Sequence, residues 1–168
     1  MLRTLLPRLT APTNRAAPLF DAITREARAR HWYVEGQVPD TLDGRFAMLA
    51  TIAALTIARL ERGASGVEAS VVLTERFVQV MEAEHREMGL GDPKLGRTVR
   101  KLVAGLARRV ALWREAIAGG DWVEAARESV YGREVAQDAL DHSVTKLREI
   151  WSRLDAASDQ ALIEGMLS

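Results

Sequence analysis

The sequence predicts an all-α fold: a single globular helical domain built around one apolar helix at about residues 41–62. Three observations carry that expectation. Apolar residues recur every three or four positions through most of the 168 residues, the period of an amphipathic helix. Glycine, proline and capping residues punctuate these periodic segments. No segment shows the apolar–polar alternation of a half-buried strand, and the β-branched residues are scattered at helical spacing. The pattern gives about five to seven helices. The length suits one domain with a sizeable core, expected over residues 16–168 and preceded by a flexible segment, 1–15.

That N-terminal segment lacks acids until Asp21 and carries Arg3, Arg8 and Arg15. A frayed terminus, a membrane-surface contact and a transit peptide all fit it; a secretory signal does not, because Pro7 and Arg8 break its short apolar part. A first helix is expected over residues 18–30, with Leu19, Ile23 and Ala27 near one face. His31-Trp32-Tyr33 begins a connecting segment. Two adjacent aromatics there have large areas to bury, so they belong on the core, with an aromatic ligand platform as the less favoured reading.

The central helix starts at Val38-Pro39-Asp40-Thr41-Leu42-Asp43-Gly44-Arg45-Phe46. Pro39 holds the preceding residue extended. Asp40 or Thr41 supplies a capping oxygen, and Asp43 places negative charge in the first turn. Gly44 costs about 1 kcal/mol relative to alanine inside a helix. It is either a tolerated surface glycine or a point of close approach by backbone or ligand, and Arg45 beside it is not needed for capping. Between residues 47 and 58 only Thr51 and Thr56 are polar, and a helix apolar nearly all round is buried on most sides.

A third helix is expected over 67–88, with Val67, Val71, Thr74, Val78, Met81, His85 and Met88 on the inner face and Glu68, Glu75, Gln79, Glu82 and Arg86 on the wet one. Gly89 stops it. Asp92-Pro93 opens a fourth helix to about 118, with Leu95, Val99, Leu102, Leu106, Val110, Trp113 and Ile117 inward. Gly119-Gly120 breaks it. Asp121 to Glu124 reads as a capping box for a short helix to 131. After Gly132 a further helix runs to about 154 on Leu140, Val144, Leu147, Trp151 and Leu154, and residues 159–167 add one last amphipathic turn or two.

Composition excludes several functions. The chain has no cysteine, so disulfides, thiolate nucleophiles and zinc–thiolate sites are out, and a reducing compartment fits. A membrane span needs about 20 apolar residues, and the run at 47–58 is far shorter. Acids and bases balance at 23 each, so polyanion binding would need local segregation. Such segregation exists: Lys94, Arg97, Arg100, Lys101, Arg108, Arg109 and Arg114 follow one another with no acid between them. Lys94, Arg97, Lys101 and Arg108 lie on the side of their helix away from the apolar stripe. They are either a solvated face paired with neighbouring helices or a docking stripe for RNA phosphates, an acidic protein or anionic headgroups. Without interleaved aromatics, sequence-specific nucleic-acid reading is not expected.

Glu82-x-x-His85 has the spacing of a di-metal helical bundle. The nearest second half, Asp138, Asp141 and His142, is wrongly spaced, and His85 falls on the apolar face where a hydrogen-bonded core histidine belongs. No nucleophile elbow or phosphate-binding glycine loop is present. The four tryptophans and five methionines belong mostly to the core, although methionines such as Met81 and Met88 also line adaptable grooves.

Three blocks carry a family resemblance: Trp32-Tyr33, the stretch Val38 to Phe46, and Arg86-Glu87-Met88-Gly89-Leu90-Gly91-Asp92. With the basic helix that follows, they resemble the ubiquinol–cytochrome c chaperone family. The resemblance covers residues 18–151, is strongest at 32–49 and 77–92, and continues weakly through Glu128-Ser129-Val130-Tyr131-Gly132. Leu106-Ala107-Arg108-Arg109 departs from the family's aromatic-glycine-arginine pattern. The resemblance implies a non-enzymatic assembly factor for the cytochrome bc1 complex that holds newly made cytochrome b, with no cofactor, metal or catalytic residue. It further implies a bacterial member in the cytoplasm, peripheral to the inner face of the membrane, whose basic helix at 94–114 meets the ribosome or an anionic membrane surface. The candidate partner-binding residues are Trp32, Tyr33, Gly44, Arg45, Met81, Met88, Arg97, Arg100, Lys101 and Arg108. A helical adaptor with another client, and a helical metal-binding enzyme using Glu82 and His85, are the alternatives.

Overall fold

The computed structural model describes residues 16–167. The N-terminal segment 1–15, expected to be flexible, lies outside the described residues. The helices are α1 (Ala17–Ala27), α2 (Arg30–Tyr33), α3 (Leu42–Leu60), α4 (Gly66–Glu87), α5 (Asp92–Ile117), α6 (Trp122–Ala126), α7 (Gln137–Ala156) and α8 (Asp159–Ile163), with a π-helical turn, Arg127–Tyr131, after α6. No strand occurs among the described residues.

Helix α3 is the centre of the domain, as its composition predicts. Every residue from 50 to 58 is buried, and α1, α4, α5, α7 and the π turn all pack against it. Its buried hydroxyls are satisfied, since an unpaired one costs about 1–3 kcal/mol. Thr56 Oγ1 donates to the Ile52 carbonyl at 2.9 Å. Thr51 Oγ1 and Ser129 Oγ are hydrogen-bonded at 2.7 Å. Of the two candidate caps, Thr41 takes the role, accepting from Gly44 N at 3.2 Å.

Several boundaries differ from the expectation. The first helix ends at Ala27, and residues 30–33 form a separate turn rather than a loop. The two aromatics account for the break. Trp32 Nε1 donates to the Glu26 carbonyl at 2.9 Å, and Tyr33 Oη donates to the Ala27 carbonyl at 2.8 Å. Tyr33 thereby serves a C-terminal carbonyl of α1 that the helix itself leaves open, and Trp32 adds a second donor to the Glu26 carbonyl, which already accepts from Ala29 N at 3.1 Å.

The inner face of α4 is not the expected one. Its buried residues are Gly66, Ser70, Leu73, Phe77 and Met81, while Val67 and Val71 are each 53% exposed. Leucine and phenylalanine bury more apolar area than valine, and glycine at 66 lets the start of α4 come close to the end of α3. The first residue of the α4 hairpin is held tightly: a Cβ on Gly66 would overlap the Leu60 carbonyl.

Asp121 caps α6 through Val123 N (2.8 Å) and Glu124 N (3.1 Å). Glu124 does not reach back as a capping box requires; it is ion-paired with Arg127. The helix expected to run on to 131 widens into the π turn, which aims Ser129 at Thr51 and ends at Gly132 with φ of 62°. Helix α7 starts at Gln137, later than expected. Its C-terminal end is tied to α8 and α3 through Arg59, which donates to the Leu154 carbonyl at 3.0 Å and to Asp159 Oδ1 at 3.0 Å.

Candidate functional site

The α3–α4 connection is short, so the two helices run antiparallel and the N-terminal end of α3 faces the C-terminal end of α4. Phe46 and Phe77 mark the contact, with ring centroids 5.9 Å apart. Helix α1 lies across both. The three do not close completely. Between them, with Leu102 of α5, is an open groove of about 630 Å³. Phe20, Phe46, Leu49, Val80 and Met81 supply its apolar surface. At one end stand Leu42 and Met88, 53% and 52% exposed. Asp43, Glu84 and Glu87 line that end with them.

The groove gathers Arg45, Met81 and Met88 from the expected residues. Met81 is buried in the floor. Arg45 is exposed, and its Nε donates to Asp40 Oδ1 at 2.7 Å; that bond holds the Asp40 carboxyl below its usual range. Gly44 is buried beside the groove because the chain folds back on it. A Cβ there would overlap the Pro39 carbonyl oxygen and sit 3.0 Å from its carbon. The close approach is thus made by the protein's own backbone.

Trp32 and Tyr33 do not line the groove. Trp32 is fully buried in the core. Tyr33 is half-buried, and its hydroxyl is engaged with α1; burial raises its pKa above the ordinary value.

The basic helix separates into two parts. Lys94, Arg97, Arg100 and Lys101 are exposed and form no ion pair among the described residues. Arg108 is exposed too, with Nε 3.9 Å from Glu128 Oε1. Arg114 is paired with Glu61. Arg109 turns inward: its Nε donates to the Ser129 carbonyl at 3.1 Å, and its guanidinium carbon lies 5.7 Å from the Phe46 ring centre. Burial, and then Arg108 beside it, lower its pKa from the ordinary arginine value.

The Glu82 and His85 side chains are engaged separately. Glu82 accepts from Arg86 at 2.8 Å, and His85 Nδ1 is 2.7 Å from the Met81 carbonyl, to which it donates. His142 Nε2 lies instead 3.0 Å from Nδ1 of His31. No group of three or more histidine, aspartate or glutamate side chains is placed to hold a metal ion among the described residues. No helix among them is long and apolar enough to cross a membrane.

Sequence reading did not single out Leu42, Phe46, Leu49, Val80 and Leu102 as groove residues. Leu42, Phe46 and Leu49 stand at i, i+4 and i+7, which places them on one face. Nothing in the pattern distinguishes a face that meets a groove from one that meets another helix.

Fold and site together define an all-helical protein with an open, apolar-floored groove that is charged at its rim. The chain belongs to the ubiquinol-cytochrome C chaperone family, which matches residues 34–168. That is the family resembled by the motif blocks; the match begins after Trp32-Tyr33, later than the expected residue 18, and extends beyond residue 151 to the last residue. Among solved structures, a Cbp3 homolog from Brucella abortus has the same fold, with a TM-score of 0.76 and 23% identity over 98% of this chain and 94% of its own. No curated protein matches the chain. Family membership makes the protein a chaperone and implies a protein client.

Proposed function

We propose that the protein is a non-enzymatic assembly chaperone of the cytochrome bc1 complex, and that it binds newly made cytochrome b in the groove between α1, α3, α4 and α5. The groove is the observation that carries this reading. A client of apolar helices needs an apolar surface that stays open in the free chaperone, and exposed Leu42 and Met88 beside Phe46, Val80 and Met81 supply one. Methionine's flexible side chain suits a surface that must accept apolar segments of varied shape.

The exposed cations Lys94, Arg97, Arg100 and Lys101 would hold the chaperone near the ribosome or the anionic inner face of the membrane while the client is made. The expected site of action is thus the cytoplasm, peripheral to that face.

Site-specific crosslinkers at Leu42 and Met88, activated during cytochrome b synthesis, test the reading. Crosslinks to cytochrome b are expected from both positions, and deletion of the gene should lower assembled bc1 complex. Normal cytochrome b and bc1 levels after deletion overturn it.

A further inference from the structure

We infer that the end of the groove formed by Leu42, Asp43, Glu84, Glu87 and Met88 receives the Lys/Arg-bearing flank of an apolar helix, while the apolar part of that helix lies along the floor. This rests on the reading of the groove as the client site and specifies what the groove selects.

The charges at this end are not matched within the protein. Asp43, Glu84 and Glu87 form no ion pair among the described residues, although all three line the groove. Of the cations that line this end, Arg45 is committed to Asp40 at 2.7 Å; the unpaired Lys94, Arg97, Arg100 and Lys101 of α5 do not line the groove. Arg28 is the remaining opposing charge lining the groove at this end. Asp21 and Arg76, of opposite sign, line the rest. Three carboxylates without an ion pair therefore stand beside the most exposed apolar side chains of the groove. A neutral or acidic segment laid there leaves the three carboxylates unmatched, whereas a cationic one pairs with them.

Length and direction agree with this. From Arg76 to Met88, α4 supplies a wall of about 18 Å at 1.5 Å per residue. A complete membrane span is about 20 residues and 30 Å. The groove thus holds a little over half a span, which is one end of a membrane helix and not its whole length. Cytoplasmic ends of membrane helices carry an excess of lysine and arginine in the adjoining loop. The occupant that fits is the cytoplasmic half of an apolar helix with its basic flank, set down with the flank against Glu84 and Glu87.

Fluorescence anisotropy with labelled peptides tests the assignment. The probe is an amphipathic Leu/Ala/Gln helix of about twelve residues, matched to the wall, followed by a lysine, serine or glutamate flank. The lysine-flanked peptide should bind the full-length protein about tenfold more tightly than the serine-flanked one at low salt, the sum of two or three exposed ion pairs. Added salt should erase the difference. Glu84→Gln with Glu87→Gln should remove the preference, so that lysine- and serine-flanked peptides bind alike, and Leu42→Ser with Met88→Ser should weaken every peptide. If lysine- and serine-flanked peptides bind equally, or the double glutamine variant keeps the preference, the inference is overturned while the groove stands as the client site. If no peptide binds, or Leu42→Ser with Met88→Ser changes nothing, the client-groove reading falls and this inference with it.

Discussion

Replacing Gly44 by alanine sets helix propensity against close packing at the start of α3. Propensity alone favours alanine by about 1 kcal/mol. The structure opposes it. The new Cβ would overlap the Pro39 carbonyl oxygen, lie 3.0 Å from that carbonyl carbon and touch Val38 Cγ1 at 3.4 Å. The obstacle is backbone, so the segment 38–41 must withdraw by roughly an ångström, at an overpacking cost of about 1–3 kcal/mol. That withdrawal also pulls Thr41 away from Gly44 N, now 3.2 Å from its hydroxyl, and a lost N-cap costs about 1 kcal/mol. The net expectation is a destabilisation of about 2 kcal/mol. For a domain of this size that lowers Tm by about 4–8 °C. Gly96 is the control. It lies within α5, and a Cβ there would meet only Arg100 Nη1, 3.9 Å away. Gly96→Ala should follow propensity and raise stability by about 0.5–1 kcal/mol. Thermal and urea unfolding of both variants measure the contrast. A Gly44→Ala protein as stable as the native one, or more so, refutes the steric account.

Other outcomes follow from the same structure. Ser129→Ala should cost about 1–3 kcal/mol, because Ser129 Oγ serves both Thr51 Oγ1 at 2.7 Å and Trp113 Nε1 at 3.1 Å; urea unfolding reads it, and a change below about 0.5 kcal/mol would show the bonds are dispensable. Arg97→Glu, Arg100→Glu and Lys101→Glu together should lower association with anionic vesicles or ribosomes about tenfold at low salt while moving stability by less than about 0.5 kcal/mol per site; co-sedimentation across a salt series measures it, and unchanged association removes the docking stripe. Burial, and then His142, hold the His31 pKa below its ordinary 6.5, opposed by Glu26 and Glu35 and reinforced by Lys146. The folded state thus prefers neutral His31, so its contribution to stability is complete above pH 6.5 and drains away as pH falls through the depressed value. An NMR titration should show the low value and its rise in His142→Gln, and an unmoved titration would contradict the pairing.

The residues of the groove show how far a sequence reaches. Met81, Met88 and Arg45 were recognisable as candidates, the first two for their flexible side chains and Arg45 because capping left it unexplained. Leu42 and Phe46 were not, since they extend an apolar helix whose every face looked alike. Trp32 was expected on the core rather than as a platform, and it is fully buried there, with its Nε1 donating to the Glu26 carbonyl at the end of α1. In the basic helix, spacing placed Lys94, Arg97 and Lys101 on the outer side. Arg109 turned inward, where the π turn offers it the Ser129 carbonyl.

Sequence by itself determined the helical class, the central place of α3, the stops at Gly89 and Gly119-Gly120, the Asp121 cap, and the family. These depend on local rules: period, propensity, punctuation and capping act within a few residues of one another. Tertiary structure decided which side of α4 is buried, where the groove opens, and how the chain crosses from α6 to α7. On α4 the valines 67, 71 and 78 and the larger Leu73 and Phe77 define competing stripes, and periodicity cannot rank them. The ranking came from contact: the Phe77 and Phe46 ring centres lie 5.9 Å apart, and Gly66 admits the Leu60 carbonyl closely. Packing distant parts of the chain together set these outcomes, because the area buried by each alternative exists only once the partner surface is in place.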